Sequence, residues 1–301
     1  MSAAPAPPES RLRGILLFCA AFASFATMGA LAKYLTQSYP LSQIIWARYF
    51  FHVALMVLIF PGRVPTFLVS RRKGLQIVRG VLIFVGTLCS FAALHFMPLA
   101  DVAAITFTVP LIATALSVVI LREPVGIRRW TAVLIGFGGM LIIVRPGAEM
   151  FDWPVLLPVA VAFIGALYQI ITRLVREASD AVTALFYTAV VGAVMTLPML
   201  YLGWRAPEGW QGWAMLVALG LFGGAGHFLM IEAFRWAPVS VITPFTYTEL
   251  FWAVLFGFLV FGDLPDLWTW VGGAIIVASG LYVWHRERVR RVETRLSVPR
   301  P

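Results

Sequence analysis

The chain has 301 residues, of which 60% are hydrophobic and only 12% are charged, and its formal net charge is +9. Because soluble domains carry about a quarter charged residues, this composition excludes an ordinary soluble protein. The basic residues are sorted by membrane side, so the positive charge does not indicate nucleic-acid binding. Cys19 and Cys89 both lie in apolar runs and predict neither a disulfide framework nor a metal site.

Several apolar stretches are long enough to cross a bilayer, which takes about 20 helical residues. Proline, glycine and charged clusters separate them. They lie at about 14–34, 41–60, 75–96, 100–121 and 127–145, then at 154–173, 181–202, 212–234, 239–261 and 267–285. The sequence therefore predicts an all-α, polytopic membrane protein of ten transmembrane helices. Residues 1–13 are expected to be a disordered cytoplasmic segment and residues 286–301 a basic cytoplasmic tail at anionic lipid.

The distribution of lysine and arginine predicts the orientation of the spans. Most of the 23 basic residues fall on the side of the amino terminus, Arg79 among them, whereas Lys33, Arg145 and Arg205 fall on the other side and Arg48 lies inside a span. Since cytoplasmic loops carry the excess of positive charge, both termini are predicted to be cytoplasmic, in the cell inner (plasma) membrane. A cleaved signal peptide in place of the first span is the alternative, and it would leave nine spans with the same alternation.

An internal repeat appears when the sequence is shifted by 140 residues. The matched positions are Lys33 with Arg173, Pro98 with Pro238, Thr106 with Thr246, Thr108 with Thr248, Glu123 with Asp263, and Trp130 with Trp270. Each unit holds five spans, and an odd number of crossings inverts the second unit relative to the first. The sequence thus predicts two inverted five-helix repeats, at 14–147 and 154–285. Such repeats are typical of secondary transporters, because exchanging the conformations of the two halves alternates access to the binding site.

Two segments carry a family resemblance. One runs from Pro110 to Gly147 and contains LREPVGIRRW, and the other begins at Pro238 and contains FGDLPDLWTW. They resemble the paired signatures of the drug/metabolite transporter superfamily, EamA branch, in which an acidic residue ends the fourth and ninth helices. Glu123 matches that pattern, and Asp263 is a shortened substitute.

The resemblance implies a central cavity lined mainly by helices one, three, four, six, eight and nine. Helices five and ten, which are rich in glycine, would be peripheral or form a homodimer contact. The branch includes exporters of amino acids and other polar metabolites, and it also includes importers.

Glu249 is the deepest ionisable residue of the predicted spans. A charged group at mid-helix costs about 2.5–3.5 kcal/mol, so it requires a partner or a water-filled cavity. Thr246 and Trp252 lie on the same helical face, a hydroxyl and aromatic lining suited to a small polar ligand. We interpret Glu249 as a proton carrier or a receptor for a substrate amine; the alternative is a glutamate that fixes helix packing.

Arg48 lies in the second span, with His52 one turn further on the same face. Because a guanidinium cannot lose its proton in a protein, Arg48 must meet a carboxylate, either that of Glu249 or that of a substrate. Snorkelling to the headgroups is its alternative role. His52 is a candidate for proton coupling or a hydrogen-bonded packing residue.

Five further residues have candidate roles. His227 follows a glycine-rich run, which permits either close helix approach or a break at a binding site. Tyr168 and Gln169 in the sixth span are weaker substrate-binding candidates. Lys33 and its repeat mate Arg173 are candidate gate residues, each pairing with an acidic group in one state, unless both only snorkel.

We expect a transporter, not an enzyme. The alternative of a membrane-embedded enzyme lacks support from any catalytic or phosphate-binding motif, and no metal or cofactor is expected. The expected function is export of a small polar metabolite by secondary or facilitated transport. The expected substrate is zwitterionic: an amino acid or amino-acid-derived compound, including opine-type metallophores. The alternative is import of an aromatic vitamin such as riboflavin.

Overall fold

The computed structural model describes residues 8–66, 69–122, 125–145, 153–175 and 181–297. Within these residues all regular structure is helical. The first half contains α1 (Pro8–Leu35), α2 (Leu41–Ile59), α3 (Lys73–Phe96), α4 (Leu99–Thr106), α5 (Val109–Ile120) and α6 (Ile127–Val144). The second half contains α7 (Leu156–Val175), α8 (Ala181–Thr196), α9 (Gly209–Trp236), α10 (Val239–Ile242), α11 (Thr248–Phe256) and α12 (Leu267–Ser297).

Ten segments of the described chain are long and apolar enough to cross a membrane, as predicted. Two of these spans are repeat mates that change helix type or break within the membrane: Leu99–Ile120 contains α4 and α5, and Thr243–Phe261 contains a 3₁₀ turn, α11 and a π turn. The protein is therefore a multi-pass membrane protein with an all-α fold. The side of the membrane on which each terminus lies stays a prediction from the charge distribution.

The two ends of the chain are more helical than the sequence analysis expected. Helix α1 begins at Pro8, so residues 8–13 are helical where disorder was predicted; residues 1–7 lie outside the described part. Helix α12 continues to Ser297, well into the predicted basic tail. Proline at the first helical position fits the start of α1, because its fixed φ suits a helix and its missing N–H would have had no partner there.

Packing between the helices follows the inverted repeat. Helix α1 packs along α9, and its repeat mate α7 packs along α3; α2 packs on α9 in the same way as α8 packs on α3. Two close contacts obey the same relation, since Gly220 of α9 lies against Phe51 of α2 and Gly80 of α3 lies against Val191 of α8. Each residue of one contact is 140 positions from its mate in the other. The structure thus has two inverted five-helix halves.

The glycine-rich helices five and ten of the prediction are α6 and α12, and they pack against each other within the chain. A Cβ atom on Gly139 would lie 2.9 Å from the carbonyl oxygen of Gly272, so the two backbones are in direct contact. These glycines serve a contact inside one chain. A homodimer through these two helices stays a prediction.

Candidate functional site

Glycines on α9 bring two histidines together in the middle of the bundle. Gly220 and Gly224 both pack against α2, where a Cβ on Gly224 would lie 3.2 Å from the imidazole of His52. His227, one turn beyond Gly224, stacks on His52 with ring centroids 5.7 Å apart and an interplanar angle of 13°. Helix α9 continues without a break through the glycine run. Of the two roles considered for these glycines, the structure uses close helix approach.

Arg48 lies beside the histidine pair, on α2. Its side chain is buried, with 5% exposure, and its guanidinium lies 4.2 Å from the centroid of the Tyr49 ring. Among the described residues, Arg48 Nε and Nη1 have no hydrogen-bond partner, and the same is true of both ring nitrogens of His52, which is 2% exposed. The Tyr49 hydroxyl is 3.0 Å from Thr87 Oγ1, which holds the ring in place beneath Arg48.

Arg79 belongs to the same region, although the sequence analysis placed it with the cytoplasmic basic residues. This placement was wrong, because Arg79 is a buried residue of α3 with 4% exposure. Its Nη2 donates hydrogen bonds to the Ala184 carbonyl at 2.8 Å and to Thr188 Oγ1 at 2.9 Å, both on α8. Acceptors from a neighbouring helix make this burial tolerable. The sequence did contain one indication of this burial, because the predicted third span, 75–96, already included position 79.

Tyr168 is brought to this region as well, since the Arg79 guanidinium lies 5.2 Å from the centroid of its ring. The Tyr49 hydroxyl, whose ring lies beside Arg48, is 3.3 Å from the carbonyl oxygen of Ile83, one turn from Arg79 on α3. We call Arg48, His52, Arg79 and His227 the arginine–histidine cluster. Gln169, the neighbour of Tyr168, is exposed on another face of α7 and does not join it.

Glu249 lies elsewhere, in the first turn of α11. It is half-buried and makes no hydrogen bond or ion pair with any described residue, so the pairing with Arg48 that the sequence analysis considered is not formed. Thr246 lies in the 3₁₀ turn just before α11, and Trp252 follows one turn after Glu249. The Trp252 ring stacks on Phe256 with centroids 6.1 Å apart. This segment therefore joins one unpaired carboxyl group to a hydroxyl and an aromatic surface.

One end of the bundle is held by ion pairs between the two halves. Lys33 Nζ lies 2.6 Å from Asp263 Oδ2, with side-chain exposures of 14% and 35%. Arg145 Nη2 lies 2.5 Å from Asp266 Oδ2. We call this the Lys33 end. Each cation comes from the first half of the chain and each acid from the second.

The repeat mates of the first pair, Glu123 and Arg173, cannot be compared with it. Glu123 lies outside the described residues, and so does the Arg173 side chain. The role of Arg173 as a gate residue stays a prediction.

The sequence of this helical bundle matches a known protein family. The model of the EamA-like transporter family matches residues 12–145 and again residues 152–284. The chain belongs to the EamA-like transporter family. The two matched segments are the two inverted halves, and the family is part of the drug/metabolite transporter superfamily, as the sequence resemblance implied.

Relatives with names extend the comparison over most of the chain. An S-adenosylmethionine uptake transporter of Rickettsia felis is 28% identical over 281 residues, 93% of this chain and 95% of that protein. A riboflavin transporter of Vibrio cholerae is 30% identical over 286 residues, 93% and 96% of the two chains. This EamA protein is thus a small-molecule transporter, and the comparisons point away from an enzyme. The names do not support the export direction that the sequence analysis expected.

A solved crystal structure of another protein has the same fold, with a TM-score of 0.61 at 20% identity over 95% of this chain and 99% of that one. At that identity the likeness extends to the fold alone.

Proposed function

We propose that this EamA protein carries a small zwitterionic metabolite, an amino acid or an amino-acid-derived compound, by alternating access. The observation that carries the proposal is that the bundle holds a guanidinium, Arg48, and a carboxyl group, Glu249, neither of which has a charged partner among the described residues. Each such group costs about 2.5–3.5 kcal/mol in a membrane span unless a ligand or water compensates it. A substrate with one anionic and one cationic group compensates both.

The roles follow from the chemistry of each group. The substrate carboxylate would bind Arg48, whose planar guanidinium suits a carboxylate, and the substrate ammonium would bind Glu249. Trp252 offers a face for an apolar or aromatic part, and Thr246 offers a hydroxyl. Glu249 and His52 are the groups we propose for proton coupling. An opine-type metallophore is one member of this substrate class.

S-Adenosylmethionine, which the Rickettsia relatives are named for, belongs to the same class. It carries an amino-acid carboxylate and ammonium together with a sulfonium and an aromatic base, so it can meet a cation, a carboxylate and an aromatic surface at once. We therefore propose it as the first substrate to test.

The direction of transport is a separate question from the substrate. Export is what we expect from the sequence, whereas the relatives' names favour uptake. A carrier with two inverted halves moves its substrate down the gradient in either direction. Net direction therefore follows from the substrate gradient and from any coupled proton.

Counterflow into proteoliposomes tests the proposal. Liposomes that contain the purified protein are loaded with unlabelled S-adenosylmethionine and diluted into a trace of the labelled compound. A carrier gives a transient accumulation of label, which neither a channel nor protein-free liposomes give. If neither S-adenosylmethionine nor any of a panel of amino acids shows counterflow, the proposal is wrong.

Riboflavin is the second candidate, favoured by the stacked Trp252 and Phe256 rings and by the Vibrio cholerae relative. Riboflavin carries no charge at neutral pH, so its transport would not need Arg48 and Glu249 together. Fluorescent riboflavin uptake in the same liposomes separates the two candidates. Riboflavin flux that survives neutralisation of Arg48, without any flux of zwitterions, would favour the vitamin.

A further inference from the structure

The arginine–histidine cluster contains more unused hydrogen-bonding capacity than Arg48 alone. Five buried nitrogens find no hydrogen-bond partner in the part of the chain that the structure describes: Nε and Nη1 of Arg48, Nδ1 and Nε2 of His52, and Nε of Arg79. All three side chains are more than nine-tenths buried. Leaving a buried polar group without a partner costs about 1–3 kcal/mol, and more for a charged group. The three arginine nitrogens are donors, and a neutral His52 adds one more donor, so this concentration of unmet donors indicates a missing acceptor.

The charge of the cluster points to the same kind of ligand. Arg48 and Arg79 both keep their protons, and no described carboxylate pairs with either of them. The described ion pairs in the protein involve Lys33, Arg145, Arg205 and Arg235 instead. Taking a charge out of water without a counter-charge is strongly unfavourable. The cluster therefore has a positive charge that the described protein groups do not balance.

The contacts that the two arginines do make orient them without neutralising them. Arg79 is held by neutral acceptors on α3 and α8, Gln76 at 3.3 Å among them, and by the ring of Tyr168. Arg48 is held over the ring of Tyr49. Aromatic faces attract a guanidinium but leave its N–H groups free for another acceptor. Both cations are thus oriented in advance, which lowers the entropic cost of binding an anion.

We infer that the arginine–histidine cluster is an anion-binding site for a carboxylate or similar oxyanion, and that Arg79 acts there together with Arg48. The anion is the acidic group of the transported substrate. This last point rests on the proposed function, whereas anion binding by the cluster does not. No such role for Arg79 was predicted from the sequence.

Access to the site requires a change of conformation. The unpartnered nitrogens of Arg48 and His52 have almost no contact with the outside of the protein in this structure. Gly220 and Gly224 close α9 directly onto α2 beside them. An anion therefore reaches the cluster in a conformation in which α9 has moved relative to α2, and the site is occluded when the two helices are in contact.

The first experiment measures anion binding without assuming a substrate. The full-length protein in detergent is titrated with inorganic phosphate or acetate in place of chloride at constant ionic strength, and its unfolding temperature is recorded. We expect stabilisation of the wild type that is lost in Arg79→Gln and in Arg48→Gln. Arg128→Gln, which removes an exposed arginine at the start of α6, is the matched control and should respond like the wild type. An Arg79→Gln variant that responds like the wild type overturns the inference.

The second experiment asks whether the anion is the substrate's own. Transport of S-adenosylmethionine is compared with that of its decarboxylated analogue, which differs by the carboxylate alone. We expect the wild type to prefer the carboxylate form and Arg79→Gln to lose about tenfold to hundredfold of that preference, as for loss of a charged hydrogen bond. Transport of the decarboxylated form by this variant shows that it is folded. Arg79→Lys, which keeps the charge, should retain part of the preference.

The two experiments separate the failure of this inference from that of the proposed function. If the wild type transports neither compound but phosphate still stabilises it through Arg79, the proposed substrate class is wrong and the anion site stands. If anions stabilise the protein through Arg79 but the carboxylate does not affect transport, the site binds a free anion and the substrate assignment is overturned. If anions do not stabilise the wild type and it shows no preference for the carboxylate form of the substrate, the site does not exist.

Discussion

The Lys33 end and the arginine–histidine cluster both hold cations of the first half of the chain, but only the Lys33 end supplies them with acids. Lys33 and Arg145 each meet an aspartate of the second half, at partly exposed positions. Arg48 and Arg79 are more deeply buried and have no acid among the described residues. The deeply buried arginines, whose charge is costly to bury, thus have no acidic partner among the described residues. The partly exposed cations, which water could solvate, each form an ion pair.

This difference separates two roles for charge in one bundle. Partly exposed ion pairs contribute little to stability, so they can break and re-form as the two halves move. A buried charge without a partner lowers stability unless a ligand compensates it. Glu249 belongs with the unpaired group. We expect substitutions of the unpaired charges to affect transport strongly, and substitutions of the pairs to affect it weakly.

The largest effect is expected for Glu249→Gln. Losing the charge that binds the substrate cation, or that carries a proton, should reduce transport by about a hundredfold or more, as for one partner of a buried charge pair. The amide keeps the shape and removes an uncompensated charge, so the unfolding temperature should stay the same or rise. Counterflow rates and thermal unfolding of the same preparation measure both. Unchanged flux at every pH would show that Glu249 only packs.

The next effect is expected for Arg48→Lys. Lysine keeps the charge but loses the planar, two-pronged contact with a carboxylate, so the apparent KM should rise by about tenfold. The maximal rate should change less, because the substitution removes binding and not the conformational change. Initial rates over a range of substrate concentrations give both constants, with Arg128→Lys as the control. Wild-type kinetics would place Arg48 outside the site.

A smaller effect is expected at the Lys33–Asp263 pair, which we propose as a gate. Lys33→Asp and Asp263→Lys should each slow transport about fivefold by disturbing closure of the Lys33 end, and the two together should restore most of the rate. The coupling in this double-mutant cycle should be about 2 kcal/mol, since the double variant recovers two losses of about fivefold each. Additive effects of the two substitutions would mean that the pair does not form during the cycle.

The smallest effect is expected at Arg145–Asp266. Partial burial raises the pKa of Asp266, but hydrogen bonds from Thr269 and the charge of Arg145 outweigh this and leave that pKa below its usual 3.8. The pair's contribution is therefore present at neutral pH and is lost only as pH falls through the lowered pKa. Solvent screening limits it to a few tenths of a kcal/mol.

Asp266→Asn should consequently leave transport unchanged, and lower the unfolding temperature slightly at pH 7. The asparagine can still accept the Thr269 N–H bond at the start of α12, so the variant isolates the charge. Glu208→Gln, at the exposed Arg205–Glu208 pair, is the matched control. If Asp266→Asn lowered transport as much as Arg48→Lys does, the proposed difference in role between paired and unpaired charges would be wrong.

Much of the fold could be predicted because lipid makes span length and hydrophobicity nearly sufficient to recognise a transmembrane helix. The repeat also followed from the sequence, since a shift of 140 residues relates the contact of Gly220 with Phe51 to that of Gly80 with Val191. The helical start at Pro8 was missed, because a short polar segment carries no hydropathy signal that separates helix from coil.

The candidate site was only partly predictable. Arg48, His52, His227 and Tyr168 were found from their residue types at membrane depth. Arg79 was missed, because counting charges by membrane side treats an arginine near a helix end as a loop residue, and its acceptors Ala184 and Thr188 are more than one hundred positions away.

The sequence by itself determined that this chain spans a membrane and that it consists of two related halves, because each of these depends on composition or on periodicity along the chain. Only the tertiary structure decided the partners: Lys33 meets Asp263, Arg48 does not meet Glu249, and Arg79 binds Ala184 and Thr188 of α8. Electrostatic pairing depends on distances of a few ångströms between distant segments. Those distances are set by how the glycine-lined helices pack, which a one-dimensional pattern does not contain.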